Sequence, residues 1–226
     1  PQLYSRDYLE QKRVELGEHA FAAQYLMSPV PRGGGLFVPG SLRLVDAFPG
    51  AGTRVRAYDI AASTGAGSDW TVGTLLRKVG PTFVVDSVVR FRCGPAEVEA
   101  RIREVAEADG RAVPISLPVD AGGAGKFQAH TLVSALAGWT VHTSRETGSK
   151  VARATPVASQ ARVGNVVVVR GPNVEELLRE AEVFPNGRHD DCVDSLSRAF
   201  EYLVVREQFD DYVPVAKLFG VDGEVR

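Results

Sequence analysis

The chain has 226 residues, 44% apolar and 24% charged, which is ordinary soluble usage and excludes disordered and collagen-like classes. A formal net charge of −2 and a pI near 6.2 give no general attraction for nucleic acid, so any such contact must rest on a local site. The longest apolar runs, such as Val166–Val169, fall far short of the ~20 residues a membrane-spanning helix needs.

In chain order, Leu3, Tyr8, Leu9, Val14 and Leu16 among charged residues predict a helix from Tyr4 to about Gly17. Pro29, Pro31 and Gly33–Gly35 break regular structure, so residues 28–53 read mostly as linker with room for a short strand. Val55–Ala61 predicts a strand ending in the polar loop Ser63–Ser68. Trp70–Leu76 and Thr82–Val89, joined by the turn Lys78–Pro81, complete three sequential antiparallel strands. Pro95 opens a helix over about 95–109, stopped by Gly110. A strand at Ile115–Val119, a helix over about 124–137 and a strand at Trp139–His142 follow. A long polar segment leads to the strand Val166–Val169, Asn173 is placed to cap a helix over 174–182, and a last helix runs from about Arg188 to Val205 with Val193, Leu196, Phe200 and Leu203 on one stripe. Strands first, then alternating strand and helix, predict an α/β fold whose mixed sheet carries helices on both faces.

Three acidic positions stand out by where they fall. Asp59 sits inside an apolar strand, where a charge is costly unless it is paired or holds a metal. Asp120 ends a strand directly before Ala121-Gly122-Gly123, the place where α/β sheets present ligands. Asp190, Asp191 and Asp194 open the last helix. The helix dipole accounts for one carboxylate there, but three so close repel one another, and a cation would relieve them. Oxygen-only donors suit Mg²⁺ or Mn²⁺ rather than zinc. Two such ions about 3.5–4 Å apart can drive phosphodiester cleavage.

These stretches resemble the C-terminal nuclease domain of the large terminase subunit of tailed bacteriophages, an RNase H-like fold. The resemblance spans residues 54–205. It rests on Tyr58–Ser63, Ser68–Gly73, Val119–Lys126, Lys150–Ala154 and, most specifically, His189-Asp190-Asp191 with Asp194 in Phe184–Leu196. It implies that Asp59, Asp120 and one or both of Asp190 and Asp191 bind two Mg²⁺ or Mn²⁺ ions, with Asp59, Asp120 and Asp191 catalytic. Asp194 falls where the resolvase branch also places a carboxylate, and Asp69 matches the family's second acid. His189 is either an aid to the attacking water or a helix cap. Lys126 meets a phosphate or is a solvated helix-start lysine. Lys150 and Arg153 clamp DNA phosphates or lie in a solvated loop. Trp70 and Trp139 read as packing, and Cys192 as a small buried residue.

The expected organisation is a linker and tail of a preceding ATPase domain over 1–53, including Phe21–Tyr25, a nuclease domain over 54–206, and a C-terminal tail over 207–226. No G-x-x-x-x-G-K-[ST] phosphate loop occurs, so no ATPase activity is expected of this chain. Pro1 in place of Met, without a signal-peptide pattern, implies a piece of a larger protein. Cys93 and Cys192 suit a reducing, intracellular setting. The resemblance further implies cutting of double-stranded concatemeric DNA during viral genome packaging. It implies the viral portal and small terminase subunit as partners, no membrane, and residence in the host-cell cytoplasm. Competing readings are another RNase H-like nuclease, such as a junction resolvase, and a docking module for DNA and portal that cleaves weakly in isolation.

Overall fold

A computed structural model describes residues 8, 9, 12, 35–61, 70–119 and 123–210, with backbone alone for 95, 96, 123, 124, 126 and 206–210. Most of the helix expected over 4–17, the segment Phe21–Tyr25, the loop Ser63–Ser68 and residues 211–226 lie outside the described residues.

Seven strands form one sheet. In chain order they are β1 (Arg43–Val45), β2 (Thr53–Asp59), β3 (Thr71–Val79), β4 (Thr82–Phe91), β5 (Ile115–Pro118), β6 (Val141–Ser144) and β7 (Val166–Val169). Their spatial order is β1-β7-β4-β3-β2-β5-β6. The centre is the expected antiparallel meander β2-β3-β4. Its two outer strands each receive parallel partners, β5 then β6 on β2, and β7 then β1 on β4. Val79 pairs with Thr82, which leaves the two-residue loop Gly80-Pro81. Gly80 has φ 55°, and because proline cannot follow it into positive φ, the turn is the II′ type that suits a twisted hairpin.

Among the described residues, five helices cover the sheet: α1 (Pro95–Asp109), α2 (Gly123–Ala135), α3 (Lys150–Arg162), α4 (Val174–Val183) and α5 (Asp191–Asp210). Side chains alternate across a strand, so Val55 and Ala57 of β2 join one core and Tyr58 the other. The first core packs α3, α4 and α5 against the central strands. The second packs Val98, Ile102 and Ala106 of α1 and Leu132 of α2 against Ile115 and Leu117. Every residue of α5 from Asp191 to Phe200 is buried. The single apolar stripe expected of this helix is exceeded because α3 and α4 flank it while the sheet lies beneath.

The structure corrects the sequence reading in several places. The long polar segment before Val166 contains α3, capped by the Ser149 hydroxyl, which accepts the Ala152 N–H at 3.2 Å. The sixth strand is shifted to Val141–Ser144, because Trp139 turns into the second core and its Nε1–H donates to the Ala106 carbonyl at 3.2 Å. Asn173 precedes α4 as expected but does not cap it with its side chain. Its backbone is left-handed (φ 61°), and its amide donates to the Val88 carbonyl at 3.1 Å. The stretch read as linker with room for a short strand does supply one, β1, and beyond that reading it buries Phe37 and Leu42 in the first core. The last helix, expected from about Arg188 to Val205, runs as α5 from Asp191 to Asp210.

Candidate active site

Strands β2, β5 and β6 run parallel, so their carboxyl ends open on the same edge of the sheet. Asp59 closes β2 on the face that carries Val55 and Ala57, towards α5. The first turn of α5 presents Asp191 and Asp194, only 4% and 5% exposed. Asp191 Oδ2 accepts the Trp70 N–H at 3.3 Å, which ties the helix start to the entry of β3. Ser195 and Thr74 share a hydroxyl hydrogen bond of 2.7 Å one turn further on.

A fourth carboxylate, missed in the sequence, completes the group. Glu146 lies two residues past the end of β6 and accepts from Arg198 at 2.5 Å. Arg198 also donates to Ser144 Oγ at 2.8 Å, so it ties Glu146 to the strand end. The electrostatics record the crowding. Burial, then the negative charges of Asp194, Asp191 and Glu146, push the Asp59 carboxyl up to about 8, with Lys150 opposing them. Burial also raises Asp194, against the pull of Lys150 and Arg153.

Lys150 and Arg153 stand on the first turn of α3 rather than in a loop, and both point into this group. Lys150 Nζ is 2.6 Å from Asp190 and 3.0 Å from Asp194. Burial alone would lower its ammonium, but the hydrogen bonds to Asp190 and Asp194 outweigh it and hold Lys150 above its ordinary value. Arg153 reaches Asp194 and Glu146, each at 3.0 Å. His189 Nδ1 lies 3.8 Å from Asp191. The structure thus gathers Asp59, Asp190, Asp191, Asp194, His189, Lys150 and Arg153 of the predicted residues. Asp69 and Asp120 lie outside the described residues, and Lys126 is placed on α2 by its backbone alone.

A second missed set fixes the start of α5. Glu180 of α4 accepts the Cys192 N–H at 2.7 Å and pairs with Arg90 at 3.4 Å. Burial raises the Glu180 carboxyl. No motif marks Glu180, although its burial on an otherwise amphipathic helix is the signal that could have found it.

For a divalent ion, the donor chemistry and the charge fit: the side chains are oxygen donors, and the carboxylates Asp59, Glu146, Asp190, Asp191 and Asp194 outnumber the cations Lys150, Arg153 and Arg198 that meet them. A cavity of about 70 Å³ lined by Asp59, Pro118, Gln128 and Glu146 has room for a few waters, not for an organic ligand. Among the described residues no three His, Cys, Asp or Glu side chains converge closely enough to hold an ion by themselves. A larger cavity of about 360 Å³ between β6 and α5, with His142 and Tyr202 in its wall, contains none of the predicted site residues. No helix among the described residues is long and apolar enough to cross a membrane.

Comparison with solved structures bears out the architecture. The large terminase nuclease from thermophilic phage G20c with bound magnesium aligns with a TM-score of 0.52 and 21% identity, covering 76% of this chain and 98% of that one. The human cytomegalovirus terminase nuclease domain, manganese-soaked and inhibitor-bound, aligns at 0.54 and 13% identity, covering 74% and 94%. The large terminase of a further thermophilic bacteriophage, in complex with ADP, aligns at 0.55 and 12% identity, and this chain spans 52% of its length, with 89% of this chain covered. At these identities the likeness establishes the fold. The comparison with curated proteins gives no match. The family model of the terminase RNaseH-like domain matches residues 56–203, which takes in every strand from β3 to β7 and the whole carboxylate group, and the chain belongs to that family.

Proposed function

We propose that the chain is a divalent-metal-dependent endonuclease that cuts double-stranded concatemeric DNA during viral genome packaging. The observation that carries this reading is the convergence of Asp59, Asp191, Asp194 and Glu146 at one sheet edge, with Asp59 pushed up to about 8. Asp59, Asp120 and Asp191, aided by Asp190 or Asp194, would hold Mg²⁺ or Mn²⁺. Two such ions supply an activated water and charge neutralisation at the leaving oxygen. The chain's own residues do the rest. Trp70 and Glu180 fix the start of α5 and so the bearing of Asp191. Arg198 and Arg153 orient Glu146. Lys150 balances Asp190 and Asp194, and a cation or a phosphate arriving there competes with its ion pairs.

Relatives with this fold were solved with magnesium, zinc, cobalt or manganese, which supports a divalent ion here. ATP hydrolysis is assigned to a separate domain, since the sequence has no phosphate loop. Portal, small terminase subunit and the host-cell cytoplasm complete the packaging setting.

The test is cleavage of supercoiled plasmid by the full chain with Mn²⁺, Mg²⁺ or EDTA, beside Asp191→Ala. Metal-dependent cutting that falls in the variant by at least the ~100-fold that loss of an outer-sphere partner can cost is the expected result. Preference for four-way junctions over linear duplex would transfer the assignment to a resolvase. No cutting with either metal would leave a docking module.

A further inference from the structure

Of the positive groups expected to meet DNA, Lys150 and Arg153 are paired with Asp190, Asp194 and Glu146, Lys126 is placed by its backbone alone, and the chain as a whole carries −2. Among the described residues, a cation that the carboxylate group does not already hold is therefore better placed to meet a duplex than Lys150 or Arg153.

The register of the meander supplies one. Asp59 pairs with Val72 across β2 and β3, and Val72 with Arg90 across β3 and β4, so these three side chains share one face. Trp70 and Arg92 lie one residue beyond the start of β3 and the end of β4, two positions from Val72 and Arg90. At about 4.8 Å between neighbouring strands, Arg90 stands roughly 10 Å from Asp59 across the sheet. Two guanidinium groups stand over the Trp70 indole, with the central carbons of Arg90 and Arg92 each 4.1 Å from the ring centroid. The two arginines differ in what else they hold. Arg90 is mostly buried and pairs with Glu180. Arg92 is exposed, and no carboxylate pairs with it among the described residues.

We infer that Arg92, held over the Trp70 ring at the edge of the sheet where the carboxylate group lies, is a docking point for a backbone phosphate of duplex DNA. The cation–π contact restricts the guanidinium before the ligand arrives, and its exposure leaves N–H groups to meet phosphate oxygens. The Trp70 N–H bond to Asp191 joins that docking point to the acidic helix start through one residue. A phosphate contact carries no base information, so the docking is independent of sequence. The inference rests on the nuclease reading above.

The experiment is equilibrium binding of a short duplex to the full chain in EDTA, which prevents cleavage, across a salt series. Arg92→Ala is expected to weaken binding and to lower the slope of log K against log salt by about 1. Arg92→Lys keeps the slope, and Arg103→Ala, on α1 and paired with Glu107, changes neither affinity nor slope. A wild-type slope in Arg92→Ala overturns the docking point. If that protein still cuts plasmid with metal, the nuclease reading stands without it. If the wild-type chain binds no duplex at all, both fall.

Discussion

Asp59 shows how a single residue can carry the tension of a site. Its carboxyl is raised by burial first and by three neighbouring carboxylates second, from 3.8 to about 8. Between those values the folded chain holds a proton that the unfolded chain has lost. The contribution of this group to stability is therefore full below about pH 4 and is lost as the pH rises towards 8. In EDTA, the thermal midpoint is expected to fall between pH 5 and pH 8, and Asp59→Asn, which has no proton to lose, should flatten that fall. Equal slopes in both proteins would mean that the crowding around Asp59 is relieved in solution. Asp59, Asp190, Asp191 and Asp194 are legible in the sequence because each interrupts an apolar pattern or crowds a helix start. Glu146 is not, since nothing but its place past a strand end distinguishes it from a solvated glutamate, and that strand ends two residues later than its apolar pattern predicts.

Among the elements, the meander is the most legible, because alternation and a Gly-Pro turn specify a hairpin locally. Helix α3 is the least. Pro156 lies inside it and its exposed face is polar, so it reads as loop. Yet Ala154, Val157, Ala158 and Ala161 are buried at helical spacing, a pattern of small residues too weak in hydrophobicity to stand out. Small residues also set the packing of the meander itself. Gly73 faces Tyr58 on one side and Val89 on the other, and a Cβ there would sit 2.5 Å from the Tyr58 ring and 2.9 Å from Val89. Tyr58 is wholly buried and packs against α1 and α2, so it has no room to yield. Gly73→Ala is expected to cost about 1–3 kcal/mol through overpacking. By denaturant titration, a loss of that size shifts the midpoint without changing the slope. A neutral outcome would show that the Tyr58 ring can swing aside.

At the scale of the molecule, the two cores must be held in register across one sheet, and a buried charge does part of this. Arg56 belongs to β2, is 2% exposed and faces the layer of α1 and α2. Its guanidinium meets Asp109, the last residue of α1, through two bonds of 2.7 and 2.8 Å. It also donates to the Gly73 carbonyl at 2.9 Å and to Ser87 Oγ at 2.9 Å, so one side chain spans β2, β3, β4 and the end of α1. No local pattern marks this pair, because Arg56 and Asp109 are 53 positions apart and each looks like ordinary surface charge. A buried ion pair adds little net stability over apolar neighbours of equal size, but removing one partner strands the other. Asp109→Ala is therefore expected to cost about 3–5 kcal/mol, well above a surface substitution. The double variant Arg56→Met with Asp109→Leu should recover most of that loss, since neither charge is then left unpaired. The double variant also separates fold from function. The pair lies on the face away from α5, so metal-dependent cutting should persist wherever the double variant folds. If instead the double variant were as unstable as Asp109→Ala, the Gly73 and Ser87 contacts rather than the ion pair would be what holds α1 to the sheet.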